Sequence, residues 1–471
     1  MKYFCLLLSF LLGFAASVSG QERMSVCNLR CEYLEEPIAV ENEKPLLGWQ
    51  LQSSEQAKNQ TAYRILVASS PSLLTDKQAD FWDSGKVISS SSNQIEYKGK
   101  PLESRQTLYW KVMVWDEKGK PSSWSGTGKW TMGLLKPSDW KARWIGSQED
   151  RYPDSTLTYP APYIRKGFRI SKPVKQAKAY ICGLGFYEMY LNGTKVGDQV
   201  LAPAVTNYDR RPLQKMLYFF DDQSAQRVLY NTFDVTSLLQ KEDNTVGVLL
   251  GNGWYNQRDR TVEGCMWYDT PRLLCQLEIE YADGSTEMIG SDGSWKTTAG
   301  PLLHDAIFTG EVYDARLELD GWNRNGYDDS SWKNVLIMRA PTGRLHAQLA
   351  PYDRVVRTLK PVRCEQKTDS TYWFVFPEMV SGWAQINVEG NAGDQVKLRF
   401  VGEENDDFGQ VDSYTLRGNR KEQWEPRFTW HTFRYIEVTS RRVKIDENSL
   451  IAKVVHTDAK PTGSFSCSNE L

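Results

Sequence analysis

Short runs in which every second residue is apolar dominate the sequence. Tyr63–Ala68, Tyr109–Trp115 and Phe186–Leu191 alternate with period two, as strands do when they bury one face. Turn formers separate such runs, and Asn192-Gly193 is the clearest, because both residues tolerate the positive φ angles of a two-residue hairpin turn. No stretch of helical periodicity is long enough to build a helical domain. The pattern predicts an all-β protein.

The spacing of these strands predicts several domains in series. A chain of 471 residues is too long for one hydrophobic core. We predict a fibronectin-type-III-like sandwich over 21–135, a connector over 136–162, and two further β-sandwiches over 163–342 and 343–461. The Trp residues of the first sandwich are expected in its core.

The amino terminus has the features of an export signal. Lys2 precedes the apolar run Leu6–Phe14, and small residues follow up to Ser19 and Gly20. The run is too short to span a bilayer, and the small residues suit cleavage by signal peptidase. We predict a signal peptide over 1–20 and a secreted protein without a membrane span, periplasmic in a bacterium.

Charge and aromatic content narrow the class of partner. A net charge of −2 provides no basic field for nucleic acid. The chain has 17 Trp and 23 Tyr but only 4 His. Flat aromatic faces stack on the C–H faces of sugars, so this excess suits contact with carbohydrate. The alternative is that the Trp side chains fill the cores of the sandwiches.

A series of motifs in the middle of the chain resembles the amino-terminal β-sandwich of bacterial α-L-rhamnosidases. In chain order the motifs are Gly183–Asp198, Gly251–Tyr255, Gly310–Arg316, Gly321-Trp322 and Asp328–Trp332. The resemblance implies a galactose-binding-like jelly roll for residues 163–342. Gly251–Tyr255 follows a buried-looking strand and is expected to be an exposed loop.

The flanking segments resemble the neighbouring domains of the same family. Glu425–Val438 begins as loop and ends as strand, as in the family's concanavalin-like domain, which implies that fold for residues 343–461. Residues 21–135 resemble the family's leading fibronectin-like module. One departure is Met379, which stands where the family often has Asn, so any contact of that amide is in doubt here.

The resemblance implies glycoside hydrolysis but assigns no catalytic residue to this chain. The family's inverting reaction uses two carboxylic acids, and both belong to a barrel of paired helices. Residues 462–471 resemble the lead-in to that barrel, so we expect this chain to lack the catalytic domain. A longer reading frame or another chain would supply it.

Carbohydrate binding is the function that the remaining polar and aromatic residues favour. Sugar recognition combines an aromatic platform with planar donors and acceptors. The residues that could cluster at one end of the jelly roll are Tyr187, Glu188, Asn192, Asp198, Asn207, Tyr208, Asp209, Asn252, Trp254 and Tyr255. The alternative is that Glu188 and Asn192 serve hairpin geometry, because turns select Asn for backbone reasons. No cofactor is certain, although Asp and Asn oxygens suit calcium.

Among the histidines, His431 is the strongest candidate for a functional role. It lies beside aromatic residues at the start of a predicted strand, where a structural imidazole bonded to backbone is the more frequent case. In the family this region lies near the barrel, so the resemblance implies a place at the mouth of the active site.

Two functions follow from this reading. The preferred one is the accessory, carbohydrate-recognising portion of an exported enzyme that removes terminal α-L-rhamnose from glycans or glycosides. The alternative is a free-standing carbohydrate-binding or structural protein without hydrolase activity. The expected partner in both cases is a rhamnose-containing carbohydrate.

Overall fold

The chain folds into two compact units, Met1–Met132 and Gly133–Leu471. A computed structural model describes residues 24–56, 58–147, 159–209, 226–257, 268–403, 406–418, 420–461 and 463–469. The predicted signal peptide at 1–20 lies outside these ranges. No helix within them has the length and apolar character needed to cross a bilayer.

The prediction of an all-β fold of tandem sandwiches is confirmed. In the described residues the only helices are four single turns of 3-10 helix, at Pro71–Leu73, Pro137–Asp139, Thr236–Leu238 and Ala315–Leu317. The strands of the first unit are β1 Ser25–Cys31, β2 Leu46–Gln52, β3 Ala62–Ala68, β4 Trp82–Asp83, β5 Val87–Ile88, β6 Ile95–Glu96, β7 Thr107–Trp115 and β8 Gly128–Thr131.

The first unit consists of two antiparallel sheets around an aromatic core. One sheet has the order β1-β2-β6 and the other β4-β3-β7-β8, with β5 paired to β3. Every second residue of β7 is buried, as its alternating sequence predicted. Trp49, Trp110 and Trp130 are all buried, so these large side chains serve the core.

The second unit contains the remaining strands. In chain order they are β9 Ile145–Gly146, β10 Pro162–Ile170, β11 Val174–Leu184, β12 Phe186–Leu191, β13 Thr194–Lys195, β14 Arg227–Asp234, β15 Glu242–Gly251, β16 Arg272–Tyr281, β17 Thr286–Gly290, β18 Lys296–Ala299, β19 Leu302–Ala306, β20 Gly310–Asp314, β21 Lys333–Asn334, β22 Leu336–Ile337, β23 Arg344–Ala347, β24 Asp353–Leu359, β25 Arg363–Thr368, β26 Thr371–Glu389, β27 Gln395–Val401, β28 Asp407–Thr415, β29 Lys421–Trp424, β30 His431–Thr439 and β31 Leu450–Thr457.

Two sheets of this unit form the jelly roll. The first has the order β13-β12-β15-β10-β18-β21, and the second has the order β22-β9-β16-β11-β14-β23 with β17 beside β16. The core between them contains Ile181, Val248, Leu277 and Trp295, each almost without solvent exposure. Burial of this apolar core is the main favourable contribution to the folding of the sandwich.

A third, larger sheet follows, and it recruits two strands from the preceding segment. Its order is β19-β20-β28-β27-β30-β26-β31-β24, with β25 and β29 paired to β26. Strands β19 and β20 come from residues 302–314, and β20 runs parallel to β28. One hydrophobic cluster joins Phe186 and Trp322 to Phe374 and Phe433, so the jelly roll and the third sheet share a core.

The hairpin turn at Asn192-Gly193 has the predicted geometry. Asn192 has φ +54° and Gly193 has φ +85°, the left-handed region that a two-residue hairpin turn requires. Strands β12 and β13 pair on either side of it. A Cβ atom on Gly193 would lie 2.8 Å from Cγ of Arg324, so the glycine also lets that side chain cross the turn.

The expectation that Gly251–Tyr255 is an exposed loop is wrong. Gly251 ends β15 and the loop begins at Asn252, but Gly251, Gly253 and Tyr255 are buried. Phe428 packs so closely that a Cβ atom on Gly251 would lie 2.2 Å from its ring. The loop is therefore covered by the segment that leads into β30, a contact that the local sequence pattern does not contain.

Candidate functional site

Strand β12 directs neighbouring side chains to opposite faces of its sheet. Tyr187 enters the jelly-roll core, where it is 3% exposed and its hydroxyl donates to Oδ1 of Asn231 at 2.7 Å. Successive side chains in a strand alternate, so Glu188 lies on the other face. There it meets Arg427, which precedes β30.

Glu188 is the centre of a buried charged network. Its Oε1 accepts from Nζ of Lys195 at 2.6 Å, and its Oε2 accepts from Nη1 of Arg427 at 2.6 Å and from the hydroxyl of Tyr190 at 2.7 Å. Burial raises the pKa of Glu188, but the charges of Arg427 and Lys195 outweigh burial and bring the pKa down to about 2. The ionised carboxylate therefore holds Arg427 in place.

An open cavity of about 500 Å³ lies beside this network. Tyr163, Tyr190, Tyr313 and Trp322 form its aromatic wall, in which Tyr190 is partly exposed and the other three rings are largely buried. Trp322 stacks on Tyr163 with ring centroids 4.0 Å apart, and Tyr190 meets Trp322 edge-on at 5.8 Å. The volume falls in the range of small-molecule sites, roughly 300–1,000 Å³.

Two carboxylates of the cavity are already matched by a neighbouring arginine. Asp320 accepts two hydrogen bonds of 2.8 Å from Arg417. Glu318 accepts from the hydroxyl of Tyr313 at 3.1 Å and lies 3.4 Å from Nη1 of Arg417. These ion pairs fix the rim formed by residues 317–324. The remaining lone pairs of the two carboxylates are available as hydrogen-bond acceptors.

The same rim segment also has donors without partners among the described residues. Arg324 is exposed, and in the part of the chain that the structure describes its guanidinium pairs with no carboxylate. The amide of Asn323, beside it, likewise has no side-chain hydrogen bond to a described residue. These two groups are available to bind ligand oxygens, and Arg427, whose Nη1 is bonded to Glu188 and Tyr190, lines the same cavity.

A second buried cluster holds the backbone of the segment that carries Arg427. Oε1 of Glu311 accepts from the backbone N–H groups of Arg427 at 2.9 Å and Phe428 at 2.5 Å. Burial raises the pKa of Glu311 well above its usual range, and the nearby Asp412 raises it further. Glu311 thus fixes the main chain of Arg427, while Glu188 fixes its side chain.

His431 belongs to this second cluster. It has no solvent exposure, its Nε2 lies 3.0 Å from Oδ2 of Asp412, and its ring stacks on Phe400 at 3.9 Å. Asp412 also accepts the backbone N–H of Glu311 at 2.9 Å. These are the contacts of a structural histidine, and a place at the mouth of an active site stays a prediction.

The side chain of Asn192 forms hydrogen bonds that stabilise the fold. Its Nδ2 donates to the carbonyl of Leu238 at 2.9 Å and to Oδ1 of Asn244 at 2.8 Å, and its Oδ1 accepts the backbone N–H of Thr245 at 2.8 Å. The hairpin is thereby joined to the neighbouring strand. Both N–H donors of this amide are therefore used within the fold.

Four of the predicted residues lie near one another around a stack of tyrosines. Tyr255 stacks on Tyr268 at 5.5 Å, Tyr208 packs edge-on against both rings, and the hydroxyl of Tyr268 donates to Asn207 at 3.2 Å. Asp209 is also buried here; it accepts from Arg339 at 3.0 Å and Thr342 at 2.6 Å. Because Tyr208 and Tyr255 are almost fully buried, their faces are not open to a sugar.

The other three predicted residues lie elsewhere. Asn252 binds Asp305 through its backbone N–H at 2.6 Å and its side-chain amide at 3.0 Å. Trp254 is partly exposed and packs against Phe308 and Trp430. Asp198 is exposed and accepts from Nε of Arg354 at 2.8 Å. The predicted set therefore does not form one cluster, and its role in binding stays a prediction.

The residues that line the cavity were not singled out from the sequence, and of the adjoining charged network only Glu188 was a candidate. Trp322 stands in the Gly321-Trp322 motif and Arg427 in Glu425–Val438, so both motifs were visible. The sequence did not show that Trp322 and Arg427 line the same cavity, because they are separated by about a hundred residues. Among the described residues no three His, Cys, Asp or Glu side chains lie close enough together to hold a metal ion.

The fold defines a protein built from tandem β-sandwiches, and comparison with known proteins identifies the family. The model of the Rha78A-like, N-terminal immunoglobulin domain matches residues 26–136. The alpha-L-rhamnosidase N-terminal domain matches 172–219 and 220–357, and the bacterial alpha-L-rhamnosidase concanavalin-like domain matches 365–456. The chain belongs to the bacterial α-L-rhamnosidase family and contains its amino-terminal domains.

Individual relatives agree with this result. An α-L-rhamnosidase of Formosa agariphila is 34% identical over 472 residues, which cover 92% of this chain and 48% of the relative. The structure of the enzyme from Dictyoglumus thermophilum has a TM-score of 0.84 and 37% identity, and it covers 95% of this chain and 50% of that one. The Streptomyces avermitilis enzyme complexed with L-rhamnose has a TM-score of 0.83 and 25% identity, covering 93% and 58%. The chain spans about half the length of the curated relatives it matches.

Proposed function

We propose that this chain forms the amino-terminal, carbohydrate-recognising portion of an exported α-L-rhamnosidase that hydrolyses terminal α-L-rhamnose from glycans or glycosides. The main support is that a relative named α-L-rhamnosidase matches 92% of the chain. A solved relative at 25% identity holds L-rhamnose. The leader-like run Leu6–Phe14 favours export, to the periplasm in a bacterium.

The cavity beside Glu188 is the best-supported recognition site. It combines an aromatic wall with carboxylates, guanidinium groups and an amide that converge on one space. Vicinal sugar hydroxyls act as both donors and acceptors, so a wall that offers both kinds of group can bind them in pairs. Arg427 is held by two glutamates, which keeps its fork pre-organised before a ligand arrives.

The buried carboxylates are better suited to carbohydrate recognition than to cleavage of a glycosidic bond. An inverting glycosidase needs one carboxyl group to protonate the leaving oxygen and one to activate water, so both must reach the substrate. Glu188, Glu311 and Asp412 are all buried and bonded to neighbouring residues. We assign the cleaving groups to a catalytic domain supplied by a longer reading frame or by another chain.

Calorimetric titration of the purified chain with a rhamnose-terminated oligosaccharide tests this function. We expect saturable binding by the chain and no turnover of an aryl α-L-rhamnoside. Arg427→Lys should weaken binding roughly tenfold, because an ammonium keeps the charge beside Glu188 but loses the planar pair of donors.

Arg169→Lys is the matched control, because the Arg169 side chain is 68% exposed and, among the described residues, it pairs only with the exposed Glu242. It should leave binding unchanged. Thermal melting verifies that both variants are folded. Absence of binding by the native chain, or equal weakening in the two variants, would overturn the assignment of recognition to this cavity. Turnover of the aryl α-L-rhamnoside by the chain alone would overturn the assignment of bond cleavage to a separate catalytic domain.

A further inference from the structure

The charges around the cavity are unevenly compensated. Most arginines near it have a carboxylate partner: Arg165 pairs with Asp329, Arg316 with Asp314, Arg417 with Asp320 and Arg427 with Glu188. Arg324 is the exception, because no carboxylate of a described residue pairs with its guanidinium, although the side chain forms part of the cavity wall.

The fold holds Arg324 where it can meet a ligand. Its backbone N–H donates to the carbonyl of Gly321 at 2.9 Å, and its carbonyl accepts from Nη2 of the buried Arg165 at 3.1 Å. Its side chain crosses the hairpin turn at Gly193, where the missing Cβ leaves room for it. The base of Arg324 is therefore fixed and its charged end is open.

Neighbouring groups extend this positive side of the cavity. The amide of Asn323 stands next in the chain, and Arg427, whose side chain is 33% exposed, lies across the same space. The two carboxylates of the lining have their own cations, because Arg417 pairs with Asp320 and both Arg417 and Arg420 contact Glu318. The unmatched charge in the cavity is thus positive.

We propose that this cavity selects a saccharide unit that carries an anionic group, either a carboxylate or a sulfate, and that Arg324 is the selecting residue. The inference rests on the proposed carbohydrate-recognising function and names the class of sugar that the site takes. A guanidinium presents two parallel N–H donors, which match two oxygens of a carboxylate or sulfate. The hydroxyls of the same saccharide would meet Asn323 and the acceptors of the rim.

A titration with three matched oligosaccharides tests the proposal on the full chain. The three carry a neutral hexose, a uronic acid or a sulfated hexose at the same position beside rhamnose. At low ionic strength we expect at least one of the two anionic ligands to bind roughly tenfold more tightly than the neutral one, the gain of a charge-assisted hydrogen bond at a partly exposed site. The preference should shrink as salt is added.

Arg324→Gln should abolish the preference, so that the neutral, uronic acid and sulfated ligands bind with affinities within roughly twofold of one another, because the charge and the paired N–H donors that distinguish them are removed. Arg324→Lys should retain part of the preference, since the charge remains but the fork is lost. Arg169→Gln, a change of the same charge at the exposed pair with Glu242, should retain all of it.

The outcomes separate this inference from the proposed function. If the neutral ligand binds and neither anionic ligand binds more tightly, the inference is wrong and carbohydrate recognition stands. If the preference persists in Arg324→Gln, Arg324 is not the selecting residue and the proposal fails. If none of the three ligands binds, the recognition function itself fails. Relative affinity of the uronic acid and the sulfated ligand identifies which anion the site prefers.

Discussion

Glu188 and Glu311 are two buried glutamates that flank the same arginine, yet their pKa values move in opposite directions. Burial raises the pKa of both. At Glu188 the charges of Arg427 and Lys195 overcome burial, and the pKa falls to about 2. At Glu311 the bonds from two backbone N–H groups do not overcome burial and the charge of Asp412. The contrast shows that the charge of the partner, more than depth, decides whether a buried carboxyl is ionised.

The same contrast divides the support of Arg427 into two parts. An ionised Glu188 neutralises the side chain, whereas Glu311 orients the main chain and leaves its own buried Oε2 without a hydrogen-bond partner among the described residues. Glu188 therefore stabilises the fold through charge, and Glu311 through geometry. Each can be changed separately.

The largest effect is expected from Glu188→Gln. The change leaves Arg427 and Lys195 facing each other without a carboxylate, and breaking a buried ion pair costs about 3 kcal/mol or more. Urea denaturation measures the free energy of unfolding. Glu242→Gln is the control, because its pair with Arg169 is exposed on both sides and should contribute less than about 0.5 kcal/mol. Equal losses in the two variants would contradict the central role of Glu188.

The pH dependence of that loss tests its electrostatic origin. The pKa of Glu188 is about 2 in the folded chain and 4.5 ordinarily, so its stabilisation is present above pH 4.5 and disappears as the pH falls toward 2. The shift corresponds to roughly 3 kcal/mol. The stability gap between the native chain and Glu188→Gln should therefore narrow below pH 4.5. A constant gap down to about pH 3 would point to packing as its cause.

A smaller loss is expected from Gly310→Ala, at the entry to the strand that carries Glu311. Gly310 has φ +108°, and a Cβ atom there would lie 2.3 Å from the carbonyl oxygen of Val411. Strain and displacement of β20 together should cost about 2 kcal/mol. Gly284→Ala isolates the strain, since φ is +82° but no atom lies within 4 Å of the added Cβ. Thermal or urea unfolding should find the control affected by only about 1 kcal/mol.

The smallest effect is expected from Glu311→Gln, and its sign should change with pH. Because the folded pKa of Glu311 is raised above 4.5, its contribution is fully present below pH 4.5 and is lost as the pH rises through the folded pKa. The amide resembles the protonated acid and still accepts from the backbone of Arg427 and Phe428. We expect a difference within about 1 kcal/mol at pH 4.5, and a gain over the native chain at higher pH. A loss that grows with pH would mean that the ionised form is the stabilising one.

Local rules were sufficient for the strands and for one turn. The alternation in Phe186–Leu191 predicted β12 residue for residue, and Asn192-Gly193 predicted the left-handed turn. Both depend on neighbours in the chain, so short sequence windows contain the necessary information. The order of the motifs was likewise enough to identify the family, because each motif is a local pattern.

Local rules failed where sheets meet. The loop Gly251–Tyr255 was expected to be exposed, yet Phe428 covers it. Asn192 and Tyr187 were candidates for sugar contact; in the fold the first joins two strands and the second enters the core, and a role of either in binding stays a prediction. The polar or aromatic character of a side chain predicts what it can bind. Whether it is available to a ligand depends on the partners that it contacts in the fold.

The sequence by itself predicted several of the strands, the burial of alternate residues in β7, the hairpin turn and the family. Only the tertiary structure decided the cavity: it places Glu188 against Arg427, 239 residues away, and Trp322 on Tyr163. It also placed β20 beside β28 in the third sheet. The physical reason is that a period of two specifies which side chains share a face, while the choice of which faces pack together depends on the burial of whole sheets. The way in which whole faces pack together therefore leaves no periodic pattern in the sequence.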